Sequence, residues 1–263
     1  METWLLLNVP TLLLGVGTVV LTAAVAVGGL VLVCRSVALS TLEAHHEVAG
    51  FILAVVGVVY AVLLAFVVVI VWQEFEESQA TTNDEAVMVG SMYRDALTLG
   101  PSGAEARRAL QAYAHSVVSS EWPEMATRHR ESPQTDAALN RVWHAFRVER
   151  APTRAQAPFH EEAIRRLHEA SELRRTRIFD SQSALPAPLW GVLIAGGLLT
   201  VGFTYFFGVA NLRAQLLMVA ALASIIGLVL FLILVLDLPF TGDVGVGAAP
   251  MEGVLHEFSH YAM

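Results

Sequence analysis

The run "VVYAVLLAFVVVIVW" (Val58–Trp72) passes without a break into "QEFEESQATTNDEA" (Gln73–Ala86). The first stretch belongs to an uncharged run that begins at about Ala49. Such a run meets the ~20 residues needed to cross a bilayer core. The second stretch is acidic and amphipathic, and no Pro or Gly stands between the two. One helix is therefore expected to leave the bilayer and continue through water to Leu99, where "GPSG" (Gly100–Gly103) stops it. The fold follows from that expectation: membrane spans joined to a helical polar region.

Three further runs lack any Asp, Glu, Lys, Arg or His: Leu5–Cys34, about Leu189–Ala210, and Ala214–Leu236. The first would be about 45 Å long as one straight helix and would have to tilt or protrude. It is too long for a cleavable signal, and Glu2 occupies the place of a basic n-region. The composition agrees with a membrane protein, being 55% hydrophobic and 15% charged, against about 25% charged in soluble domains. All 16 basic residues are Arg, and the net charge of −8 argues against a nucleic-acid partner. The lone Cys34 can form neither an intrachain disulfide nor a Cys-based metal site.

The expected class is all-α, a multi-pass membrane protein with four transmembrane helices and a helical polar domain between the second and third. The expected divisions are a first transmembrane hairpin (1–72), the polar domain (73–187), a second hairpin (188–237) and a polar tail with a short amphipathic helix (238–263). Within the polar domain, Ser102 and Glu105 fit a capping box. The helix after it carries Leu110, Tyr113, Ala114, Val117 and Val118 on one stripe, and Pro123 is expected to end it. Leu139, Val142, Trp143 and Phe146 mark a third helix, after which "APTRAQAP" (Ala151–Pro158) reads as a linker. A fourth turns Phe159, Ala163, Ile164, Leu167, Ala170 and Ile178 inward, with Glu161–Arg165 and Glu162–Arg166 as i,i+4 pairs outside. Ala24 with Gly28, and Ala223 with Gly227, fit small-x-x-x-small helix contacts.

"HEFSH" (His256–His260) matches H-E-x-x-H, in which two His one turn apart bind zinc and the Glu acts as base. Only Tyr261, Ala262 and Met263 come after it, so no downstream third ligand is at hand. As a helix the tail has Met251, Val254, Leu255, Phe258 and Ala262 on one stripe and Glu252, His256 and His260 on the other. That is an amphipathic surface helix, and neither a catalytic nor a metal site is expected. "EAHHE" (Glu43–Glu47) reads as an interfacial polar link. The absence of ionisable groups inside the spans disfavours proton-coupled transport and voltage sensing. An apolar pore gated by dewetting stays open. Glu74, Glu76, Glu77, Asp84 and Glu85 form an acidic collar; in one helix it is a solvated face, and in a ring of copies it would concentrate cations at a pore mouth. In "LDLPFTG" (Leu236–Gly242), Asp237 is the first charge after the fourth span, Pro239 stops the helix, and Phe240 and Gly242 shape a structural turn, either an ordinary helix stop or a hinge that couples the tail to the pore.

The patches "VVYAVLLAFVVVIVW" with "EFEESQATTNDEA", "LQAYAHSVVSSEWPEM" (Leu110–Met125) and "LDLPFTGDVGV" (Leu236–Val246), in that order, resemble the bacterial bestrophin-like domain family of membrane proteins. The resemblance implies a distant similarity to bestrophins, which are pentameric ion channels with the second span lining the pore. It points to Tyr60, Leu64, Phe66 and Val67 as pore-lining positions; the acidic mouth of Glu74, Glu77 and Asp84 rests on the residues themselves and argues against an anion path. The second span has no proline, so the Ile-Pro-Phe neck of bestrophins has no counterpart. The expected function is an oligomeric, bestrophin-like ion channel in the cell membrane, and not an enzyme. Its partners would be the lipid bilayer, inorganic ions and copies of itself, a pentamer by resemblance, with no cofactor. The competing reading is a non-conducting scaffold or sensor whose helical domain binds a protein. Arg174, Arg175 and Arg177 oppose Arg35 and Arg213 nearly evenly in the positive-inside count; the resemblance places the polar domain and both termini in the cytoplasm.

Overall fold

The computed structural model describes residues 2–36, 46–148, 153–207 and 211–261. Most of "EAHHE", the side chains of His46 and Glu47 included, and Ala262 of the tail stripe lie outside the described residues. The described residues form helices and no strand: α1 (Glu2–Asn8), α2 (Thr11–Ser36), α3 (His46–Thr98), α4 (Ala104–Ser116), a π-helical turn (Val117–Glu121), α5 (Trp122–Arg128), α6 (Pro133–Val148), α7 (Ala157–Gln182), α8 (Ala187–Thr204), α9 (Leu212–Leu236) and α10 (Ala249–Tyr261). Four are long and apolar enough to cross a membrane: α2, α3, α8 and α9. The chain divides into two compact units, one of Asn8–Gln73 and Ala184–Asp237, the other of Met1–Leu7, Glu74–Ser183 and Leu238–Met263.

The first unit holds the apolar runs. The expected straight helix from Leu5 to Cys34 is broken at Pro10, whose carbonyl instead accepts from Leu13 and Leu14 and starts α2. Proline has no N–H to continue a helix through. Without water, close packing and hydrogen bonding hold such helices together. The Tyr60 hydroxyl of α3 donates to the Leu193 carbonyl of α8 at 2.9 Å. Its ring lies where a Cβ on Gly196 would come within 2.5 Å, so only glycine fits there. The Tyr205 hydroxyl donates to Ala26 of α2 at 2.8 Å. Gly227 of α9 leaves room for Thr22, so the pair Ala223 and Gly227 does face α2. Ala24 and Gly28 do not reciprocate, being exposed; α2 offers Thr22, Ala26 and Leu30 instead. Asn211 caps α9, its side chain accepting from the amides of Arg213 and Ala214.

The second unit has a core drawn from five helices: Val89 and Met92 of α3, Leu110 and Tyr113 of α4, Val142 and Phe146 of α6, Leu167 of α7, and Met251 and Phe258 of α10. Several local expectations change. Gly103, not Ser102, precedes α4; the Ser102 hydroxyl donates back to the Leu99 carbonyl at 2.8 Å. Arg107 reaches over the end of α3 and donates to Ala96 and Gly100, so one side chain takes up carbonyls left open there. Gly100 has the left-handed backbone expected of a helix stop (φ 65°). Pro123 does not end the helix. The π-helical turn widens the coil ahead of it, so the ring avoids the carbonyl four residues back, and the chain stays helical to Arg128. Phe159 is exposed rather than inward. Arg165 pairs with Glu162 and Glu169, not Glu161, while Arg166 pairs with Glu162 as expected and with Asp95 of α3.

The tail helix α10 belongs to this unit through Met251, Val254 and Phe258. Phe258 stacks on Tyr93 at 3.9 Å between ring centroids. Phe258→Ala is expected to cost about 3–5 kcal/mol and to make the tail several-fold faster to clip in limited proteolysis of the full chain in detergent. An unchanged rate would show that this ring does not hold the helix.

Candidate functional site

Helix α3 has 53 residues, or about 80 Å at 1.5 Å each, against a hydrocarbon core of about 30 Å. Its exposed positions include Val55, Val59, Val62, Phe66 and Val69, then Gln73, Glu76, Ala80, Asn83 and Val87. The steps alternate four and three, the heptad spacing that keeps one stripe facing a neighbouring helix. The positions from Val55 to Val69 are apolar; Gln73, Glu76, Ala80 and Asn83 are polar or small, and Val87 is apolar again.

The expected pore residues fall on both faces. Tyr60, Leu64 and Val67 are buried against the chain's own helices. Phe66 is 66% exposed on the outward stripe. Of the acidic residues, Glu77 and Asp84 flank that stripe and are exposed. Glu74 is exposed too, but its charge acts with that of Glu77 on Asp180 of α7. Burial raises the Asp180 carboxyl above its ordinary value; a hydrogen bond from Ser78 pulls it down, and the charges of Glu77 and Glu74 push it up again.

Glu85 leaves the collar altogether. It faces inward, 1% exposed, and accepts from Arg177 Nε at 2.7 Å and from the Tyr113 hydroxyl at 2.6 Å. Arg177 also donates to Glu121 at 2.9 Å, and Arg174 donates to Glu121 at 2.6 Å. The Arg177 guanidinium lies 4.7 Å from the Trp122 ring centroid and donates to Met125 Sδ. Two cations and two anions therefore balance in the dry core. Burial works against the charge on Arg177, but Glu85 and Glu121 raise its pKa above the ordinary arginine value. Burial pushes the Glu121 carboxyl up, and the Arg174 hydrogen bonds with the Arg177 and Arg174 charges outweigh it, leaving it below its ordinary 4.5. Burial and the Glu85 charge hold the Tyr113 hydroxyl well above its usual range.

Arg174 and Arg177, which enter the positive-inside count with Arg175, are not free charges. Both are buried in ion pairs, and of the three only Arg175 is exposed. A signal for this was present. Arg174 and Arg177 continue the inward stripe Ala163, Leu167, Ala170, just as Glu85 continues Ser78, Thr82.

The residues of the turn after α9 each have partners. Asp237 caps the helix and accepts from the Leu185 amide at 2.7 Å. The Pro239 carbonyl accepts from Val246 at 2.6 Å. Phe240 packs edge-on to Trp122 at 6.1 Å and against Met125 and Ile178. Gly242 has φ 88°, and a Cβ there would sit 3.2 Å from the Leu6 carbonyl oxygen.

In the tail, His256 and His260 are exposed, with their Nε2 atoms 3.3 Å apart. Glu257 turns away to Arg94 at 2.6 Å and accepts from the Tyr261 hydroxyl. Among the described residues no group of three potential ligands forms.

Arg177→Met is expected to destabilise the protein by about 3–5 kcal/mol, because Glu85 and Glu121 would stay buried without it. A denaturation midpoint equal to that of the parent would contradict this. The stabilisation from Glu121 is complete above its ordinary value near 4.5 and disappears as the pH falls through its lower folded value. Glu121→Gln should therefore flatten stability against pH below about 4.5, as read by thermal melts in acid. His256→Ala with His260→Ala should leave the zinc content of purified protein unchanged; one zinc per chain, lost in that variant, would establish a site.

The sequence model of the bestrophin-like domain matches residues 20–251. No curated protein and no solved structure matches the chain. The ordered patches, the four apolar helices and a match that takes in nearly the whole chain agree, and the chain belongs to the bestrophin-like domain family.

Proposed function

We propose that this chain is the subunit of a homo-oligomeric ion channel in the cell membrane, with the outward stripe of α3 lining the conduit. The observation that supports the reading is the heptad run of exposed positions along one helix far longer than a bilayer. Identical helices around an axis would bury that stripe and leave a narrow path. Val62, Phe66 and Val69 would form an apolar constriction of the kind that gates by dewetting. Tyr60, Leu64 and Val67 would support it from behind. Past the membrane, Glu76, Glu77 and Asp84 would gather near the axis, attract cations and repel chloride. Bestrophins, which the bestrophin-like domain suggests, are tied to ion channel function, and five copies with cytoplasmic termini accord with the bestrophin likeness. No enzymatic step is part of this reading.

Purified full-length protein in planar bilayers should conduct, and Phe66→Ala should raise single-channel conductance several-fold. Glu77→Gln with Asp84→Asn should move the reversal potential in a salt gradient toward chloride. The shift should shrink at high salt, since exposed charges are screened beyond about 8 Å at physiological ionic strength. Silence in bilayers from particles without a central axis would favour a scaffold. A reporter active only outside the cytoplasm, fused after Met263, should stay dark.

A further inference from the structure

Helices α2, α8 and α9 do not close on one another along their whole length. Between them lies a groove of about 390 Å3. Its floor is made of small, buried residues, Ala26, Gly197 and Ala223. Its rim is made of larger ones such as Leu21 and Leu198, the latter 61% exposed. Along α8 the groove runs from Ile194 to Tyr205, about 16 Å at 1.5 Å per residue. That is close to half of a hydrocarbon core of about 30 Å, the depth of one leaflet. Tyr205 comes directly after the last residue of α8, so the outer end of the groove lies toward the short link into α9.

The two hydroxyls in the lining are already engaged. Thr22 donates to the carbonyls of Thr18 and Val19, and Tyr205 to that of Ala26. Neither calls for water, which would need two or more polar partners. An empty groove would forfeit the dispersion contacts of its walls. A helix about 10 Å wide could lay only the side chains of one face into a groove of this volume. A single file of methylenes fits, and the bilayer supplies it. We infer that this groove is a lipid site, holding one acyl chain of a membrane phospholipid in the leaflet on the side of Tyr205.

The test uses full-length protein in phosphatidylcholine liposomes containing a lipid with a photoreactive diazirine midway along one chain. After photolysis, peptides spanning Leu21–Ala26 and Ile194–Tyr205 should carry several-fold more label than Leu12 and Leu13, which are exposed on α2 outside the groove. Leu198→Trp, a rim change that closes the mouth, should cut the groove label at least fivefold and leave Leu12 and Leu13 unchanged. Ala223→Leu, filling the groove from its floor, should do the same. Groove label no higher than at Leu12 and Leu13, or label insensitive to both variants, overturns the proposal. So does efficient disulfide formation between copies through Leu198→Cys, which would give the groove to a second chain. Labelling is read without conductance, so a silent bilayer recording leaves the site standing.

Discussion

A guanidinium sealed from bulk solvent governs the second unit. Arg177 is fully buried and binds carboxylates from two other parts of the chain, 92 and 56 residues away. An ion pair of this kind contributes little net stability, because desolvation offsets the attraction. Its value lies in exclusiveness. Any packing that parts Arg177 from Glu85 or Glu121 strands a charge in a dry core, so alternative arrangements of α3, α7 and the π-helical turn are penalised. Helix α3 is thereby fixed in rotation, and the stripe opposite Glu85 is the one that faces outward.

The same helix answers to two media. In its apolar half every side chain tolerates lipid, and the choice of inward face rests on a few details, the Tyr60 hydroxyl and the close approach at Gly196. In its polar half the inward face is chosen by charge. Both halves use the same spacing of four and three.

Much of this was legible in the residues. Uncharged runs of sufficient length announce the spans, and the stripes of Leu110 to Val117 and Leu139 to Phe146 announce core helices; each depends on neighbours within a few turns. The features that stayed hidden depend on distant partners. Glu85 reads like Asp84 beside it until Arg177 is known to face it. The pore positions suggested by likeness carry no rotational information, and three of the four turned out to face the chain's own helices. Ser102 shows the remaining class of miss: a good capping pattern lost to a competing carbonyl one turn earlier. The open sequence of the tail motif gave no hint that Glu257 is taken by Arg94, 163 residues upstream.

The π-helical turn at Val117–Glu121 carries a further implication for how this chain can change over generations. Such a turn is an α-helix that has absorbed one extra residue. Losing a single codon from Val117–Ser120 would restore a regular coil with the residues after it nearly in place. A gained codon has no further bulge to absorb it and would rotate α5 by about 100° relative to α4. Trp122, Met125 and the partner of two buried arginines would then no longer stand where α7 meets them. The segment should accept the loss of one residue far more readily than the gain of one, so an aligned set of relatives should show single gaps there and no insertions.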